Sequence, residues 1–180
     1  MDIPKELADF TLIAGIGDYD QHKACVMSLA VAMDRLRKGE PIGEATDNVH
    51  CVCPVLRRLV IYRNDGPWES DAARTEWGLA MAPRLLDTRR DETETVRRGY
   101  RCADVAVRVI AAQALRSAGL VDLAVRLEAL DPIIDKKSAA AARAASAAAA
   151  SYAARAAAAA AAWGAIDGLI NEFANPVEAK

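Results

Sequence analysis

Between positions 139 and 162 every residue is alanine except Arg143, Ser146, Ser151, Tyr152 and Arg155. No side chain favours the α-helix more, because a methyl group loses no rotamer freedom when the backbone coils. A methyl group also buries little area, so such a helix gains most where another helix comes very close. The tract therefore predicts a long helix over 138–173 that docks on a partner helix or on a second copy of itself. At about 1.5 Å per residue it would be about 54 Å long. At about 100° per residue, Tyr152, Trp163, Ile166, Ile170 and Phe173 fall within roughly a quarter of the circumference, with Ala156 and Ala159 between them. These seven residues are the expected oligomer interface. A membrane span is not expected, since alanine is barely apolar and Arg143 and Arg155 would lie inside it.

The remaining sequence predicts an all-α fold, a compact bundle of about five helices followed by that long Ala-rich helix. Aromatic residues make up only 5% of the 180 positions, which fits a helical core of Leu, Val, Ile, Met and Ala. The expected organisation is a bundle domain over 1–135, the packing helix over 136–174, and a tail over 175–180. Twenty-three basic and 25 acidic residues leave a net charge of −2, so no global field draws the chain to nucleic acid or to an anionic membrane. Cys51 and Cys53 lie too close to bridge each other, and a chain of this size needs no disulfide staples. Residues 1–10 carry Asp2, Lys5, Glu6 and Asp9 and no apolar run of the signal-peptide kind. The expectation is a cytoplasmic, reducing location.

Stop signals divide the bundle. Residues 1–17 read as an irregular lead-in, with 10–13 a short strand or turn. A first helix is predicted over about 20–38, capped by Asp18 or Asp20 and ended by Gly39 and Pro41. A second begins at Pro54 and runs to about 63, apolar on most sides and so expected to be central. Ser70 should cap a third helix, kinked or split at Pro83. The fourth carries Val96, Tyr100, Ala103, Val107, Ile110 and Ala114 at spacings of four and three, and Gly119 stops it. Leu120, Leu123, Leu127 and Leu130 mark a short fifth helix, interrupted at Asp131-Pro132.

Three constellations are chemically suggestive. His22 and Cys25 at i, i+3 on a helix, with His50, Cys51 and Cys53, could hold tetrahedral zinc through imidazole and thiolate. The alternative is that the thiols are small buried hydrophobes and the histidines cap or stay exposed. Between Arg57 and Arg116 lie twelve arginines against nine acidic residues. That small excess suits one anionic pocket and not a nucleic-acid footprint. Arg57, Arg58, Arg97 and Arg101 are its candidates. The alternative is a solvated face paired with Glu69, Glu76, Asp87, Glu92 and Glu94. Third, Gly15-Ile16-Gly17 entering a helix, with His22 and Lys23, could present backbone N–H groups to an anion. The favoured alternative is a tight turn plus a helix cap.

The runs 20–27 (DQHKACVM) and 46–56 (TDNVHCVCPVL), then Asn64-Asp65, resemble small uncharacterised proteins of bacteriophages and of actinobacterial and other high-GC genomes. The similarity covers about 17–135, and the tail matches in composition. The resemblance implies an intracellular accessory protein of a phage or its host. It supplies no activity and no functional residue.

Catalytic motifs are missing: no Walker loop, nucleophile elbow or HExxH is present. The first functional reading is a non-enzymatic, self-associating helical binding protein, a counter-defence factor that sequesters a host protein or an anionic nucleotide-type molecule. The second is a zinc or cysteine enzyme built on His22, Cys25, His50, Cys51 and Cys53. A helix-turn-helix DNA regulator is disfavoured by Gly66-Pro67, Pro83 and the overall acidity.

Overall fold

Strands β1 (Thr11–Leu12), β2 (Gly17–Asp18) and β3 (Lys23–Ala24) form a three-stranded sheet in the order β1-β3-β2. β3 lies parallel to β1 and antiparallel to β2. The all-α expectation is thereby corrected: the protein is mostly helical and carries a small sheet. Two-residue strands are too short to leave a period-2 signal. They exist because the chain reverses twice, at Gly15 and Gly17 with φ of 79° and 96°, and at His22 with φ of 53°. The computed structural model describes residues 3–153 and 158–174, with side chains for 3–145 and 163–174. Ala156 and the side chains of Tyr152 and Ala159, all expected on the oligomer stripe, lie outside the described residues.

The chain divides into two compact units, Met1–Arg90 with Ile170–Lys180, and Asp91–Leu169. That boundary falls inside the stretch 1–135 expected to be a single bundle. In the first unit, α1 (Val26–Arg37) is the central element. Every residue from Val26 to Asp34 is buried, against α2, α3 and β3. α2 (Pro54–Asp65), expected to be central, buries only Leu56, Val60 and Asn64 and leaves Tyr62 58% exposed. Its start at a first-turn proline is as predicted. α1 begins at Val26 and not near Asp20, because residues 19–24 are taken by a tight turn and β3.

α3 (Asp71–Leu85) starts where expected, with Ser70 Oγ accepting from Ala73 N at 3.1 Å. Pro83 does not split it, and α3 runs on to Leu85. In the last turn a proline removes one late hydrogen bond and has few turns left to disturb. Gly78 lets α3 approach β1, since a Cβ there would lie 1.8 Å from Leu12 Cδ2. Leu12 N also donates to Thr75 Oγ1 at 2.9 Å.

In the second unit, α4 (Glu92–Val105) passes through a π-helical turn (Ala106–Ala111) into α5 (Ala112–Ser117). Gly119, at φ 79°, ends the run as predicted, and α6 (Val121–Glu128) follows. Ala112, Leu115, Ala124 and Leu127 make a small core, with Leu120, Leu123 and Leu130 packed against it. The predicted stripe holds at its far end, where Ala114 is buried and Val107 packs against that core, and fails at the start of α4. Val96 is 49% exposed, whereas Arg98, Asp104 and Val105 are buried. Arg98 and Asp104 turn inward with their ion partners, Arg98 with Glu94 and Asp104 with Arg101 and Arg108, so this part of α4 buries charge in place of the expected apolar residues.

The alanine tract falls on α7 (Lys136–Ala153) and α8 (Ala158–Ala174), with 154–157 outside the described residues. Asp135 caps α7: its carboxylate accepts from Ser138 N at 2.7 Å, and its own N–H donates to Ser138 Oγ at 3.1 Å. Among alanines 139–145 only Ala142 is buried. In α8, Ile166, Ile170 and Phe173 are at most 7% exposed in the single chain, and Trp163 is half-buried. This part of the expected oligomer stripe is therefore core within one copy and not a face left open for another.

Candidate functional site

The zinc expectation required His22 and Cys25 on one helix. The structure separates them. His22 ends the turn over Tyr19–Gln21 in the left-handed region and stacks on Phe10, rings 5.4 Å apart at 12°. Cys25 is buried and caps α1, its Sγ accepting from Ser28 N at 3.3 Å and sharing a 3.2 Å hydrogen bond with Ser28 Oγ. Ser28 Oγ donates in turn to Ile16 O at 2.6 Å, and Tyr19 Oη donates to Ser28 O at 2.5 Å. Burial pushes the Tyr19 hydroxyl up to about 12, reinforced by the Cys25 thiol and opposed by Arg35. A thiol so engaged is a structural cap.

The second cluster is pinned in a different way. Cys53 is buried at the start of α2, and its N–H donates to Thr88 Oγ1 at 3.1 Å. The carbonyl of Cys51 accepts from Arg89 N at 2.9 Å, and that of exposed His50 from Arg89 Nη1 at 3.1 Å. Segment 50–53 is thus laced to 88–89 through backbone groups. Among the described residues no three His, Cys, Asp or Glu side chains converge as metal ligands. The two clusters do not form the expected zinc site.

Two donors of the glycine turn are engaged within the fold. Gly15 N donates to Asp65 Oδ1 at 3.0 Å and Asp20 N to Asp18 Oδ1 at 3.0 Å. Lys23 Nζ donates to Gln21 Oε1 at 3.1 Å. Asn64, wholly buried, ties this turn to α1: Oδ1 accepts from Val26 N at 3.2 Å and Nδ2 donates to Ile13 O at 2.8 Å.

The expected anion-binding arginines are mostly engaged with acids. Arg57 pairs with Asp47 at 2.9 Å, while Arg58 stands exposed. Arg97 grips Glu94 through Nε at 2.6 Å and Nη2 at 2.7 Å, and Arg98 Nε reaches the same carboxylate at 2.8 Å. Arg101 and Arg108 each reach buried Asp104 at 3.1 Å, and Asp104 also accepts from Ile133 N. The six anion candidates are divided between units, with His22, Lys23, Arg57 and Arg58 in the first and Arg97 and Arg101 in the second.

Arg97 and then Arg98 hold the Glu94 carboxyl near 2, below its ordinary 4.5. A lowered native value stabilises the fold above the unfolded pKa, and that contribution is lost as pH falls through the native one. Thermal melts should therefore show Glu94→Gln less stable than the wild type at pH 6 and converging with it towards about pH 2. A constant gap across that range would refute the linkage.

Most of the candidate side chains are thus engaged in holding the fold, and the surface also carries exposed apolar residues. On α6, Ala124 and Leu127 point into the core, while Val121 and Val125 stand out at 48% exposure each. Ile134, also in the second unit, is 72% exposed. The leucine periodicity identified the inner face of α6; the two valines at i, i+4 on its other side were the available signal for an outer one.

Against family models, curated proteins and solved structures, the chain finds no match. Among the described residues no helix is long and apolar enough to cross a membrane.

Proposed function

We propose that this protein acts by docking on protein surfaces, its own copy first, and not by making or breaking bonds. The observation that carries the reading is the pair of valines left outside on α6, each half in water. An exposed β-branched pair on an otherwise well-packed helix gains free energy when another surface covers it. The capping Cys25 thiol and the ion-paired Arg57 and Arg97 support the same reading, since each has a structural partner in the fold. In this proposal the setting is the one the resemblance implies, a phage or host accessory protein in a bacterial cytoplasm. Its second partner there is a host protein or a nucleotide-type anion.

Sedimentation velocity of the full chain over a wide concentration range tests self-association. The expected result is a rise in weight-average mass with concentration. A constant monomer mass would overturn the self-association. Truncation before residue 138 is a poor substitute, because it also removes Ile170 and Phe173 from the core.

A further inference from the structure

The geometry points to the outer face of α6 as a two-fold contact in which α6 of one copy lies antiparallel to α6 of another. This rests on the self-association proposed above and assigns it a surface. Val121, Val125 and Ala129 follow at steps of four and so occupy a narrow arc of about 80° on the helix. All three are exposed. Asp122 and Arg126 form one border of that arc, both exposed and neither ion-paired among the described residues. On the opposite border Glu128 is already held by Arg116, Nε to Oε1 at 2.9 Å.

This pattern is complementary to itself. A two-fold axis passing beside α6 at the level of Ala124, perpendicular to the plane of the two helices, brings the Asp122–Arg126 border of each copy against the same border of the other. Asp122 then faces the other copy's Arg126, and Arg126 its Asp122, so one sequence pair yields two attractive contacts. Val125 meets its own symmetry mate near the axis, and Val121 falls between the other copy's Val125 and the small Ala129. A parallel arrangement about an axis along the helix would place this border against the opposite one and lose both contacts.

Charge reversal in the full chain tests the pairing, with dimer dissociation read by sedimentation equilibrium and folding by thermal melting. Asp122→Arg and Arg126→Asp should each weaken association roughly tenfold or more, since each replaces two attractive contacts by two repulsive ones. The double variant D122R/R126D should return to near wild-type affinity. It carries both helix-end charge penalties of the single variants, so recovery cannot come from a better-formed α6. Val125→Glu should abolish association with little change in melting temperature, because its side chain is half in water. If the wild type associates and none of these changes alters it, the contact lies elsewhere and the α6 assignment falls while self-association stands. If the double variant stays as weak as the single ones, the antiparallel register is wrong. A wild type that stays monomeric overturns both.

Discussion

Asn64→Ala should destabilise the first unit by about 3 kcal/mol, because it strands two buried backbone groups at roughly 1–3 kcal/mol each. Asn64 has no exposed surface, and its amide joins the end of α2 to the start of α1 and to the turn after β1. Val26 N is one of the first N–H groups of α1, which no intrahelical carbonyl can satisfy. Without Asn64 Oδ1 it has no acceptor, and Ile13 O loses its donor. Asp65 is affected as well, since Asn64 Nδ2 donates to its Oδ1 at 2.9 Å and that oxygen also accepts from Gly15 N. Urea unfolding should show a lower midpoint with an unchanged slope, the sign of lost stability in an unchanged fold. Asn64→Asp separates the donor from the acceptor. It keeps the acceptor for Val26 N but sets a carboxylate against Ile13 O and Asp65. Burial and the neighbouring charge raise the pKa of such a group, so this deficit should shrink as pH falls while the alanine deficit does not. A loss below about 1 kcal/mol in the alanine variant would mean that water replaces the amide and the junction is open.

The same residue shows where sequence reading stops. The segment at Asn64-Asp65-Gly66-Pro67 was legible as a break, and α2 does end there. Its role was not, because its partners at Val26 and Ile13 lie 38 and 51 residues away. Signals carried by a few neighbouring residues survived well: the first-turn proline of α2, the Ser70 cap, the Gly119 stop, the leucines of α6. Signals that assume one continuous geometry did not. The start of the stripe on α4 fails for another reason, since Arg98 and Asp104 turn inward there with their ion partners. The i, i+3 spacing of His22 and Cys25 assumed a helix where a left-handed turn and β3 intervene. With that turn in place the two side chains diverge, and cysteine takes the capping role that Asp18 or Asp20 was expected to fill.

The alanine tract was read correctly as helix-forming, but its large residues answer to a different requirement than the one inferred. A stripe of Ile and Phe on a helix signals burial without saying by what. Here Ile170 and Phe173 are buried in their own chain. The same ambiguity, resolved in the other direction, makes α6 informative. Val121 and Val125 lie outside the leucine face of α6, and the folded chain leaves each of them half exposed.

Gly17→Ala should cost about 3 kcal/mol, near the upper end of what a residue forced into sparsely populated backbone pays. At φ 96° an L side chain is strained before it touches anything, and a Cβ there would lie 2.5 Å from Lys23 O and 2.6 Å from Ala24 Cα. These are backbone atoms, so no rotamer change relieves the clash. Nor can β3 retreat. Thr11 N donates to His22 O at 2.8 Å and Ile13 N to Ala24 O at 2.9 Å on one side, and Cys25 N donates to Ile16 O at 3.1 Å on the other. Gly15→Ala is the matched control. Its φ is 79°, but a Cβ would meet nothing within 4 Å, so only the left-handed cost of about 1 kcal/mol applies. The difference between the two variants in urea midpoint therefore reads the close approach of β2 to β3 by itself. Equal losses would mean that the strands can part at little cost, and the sheet would then be a consequence of the two turns and not what fixes the start of α1.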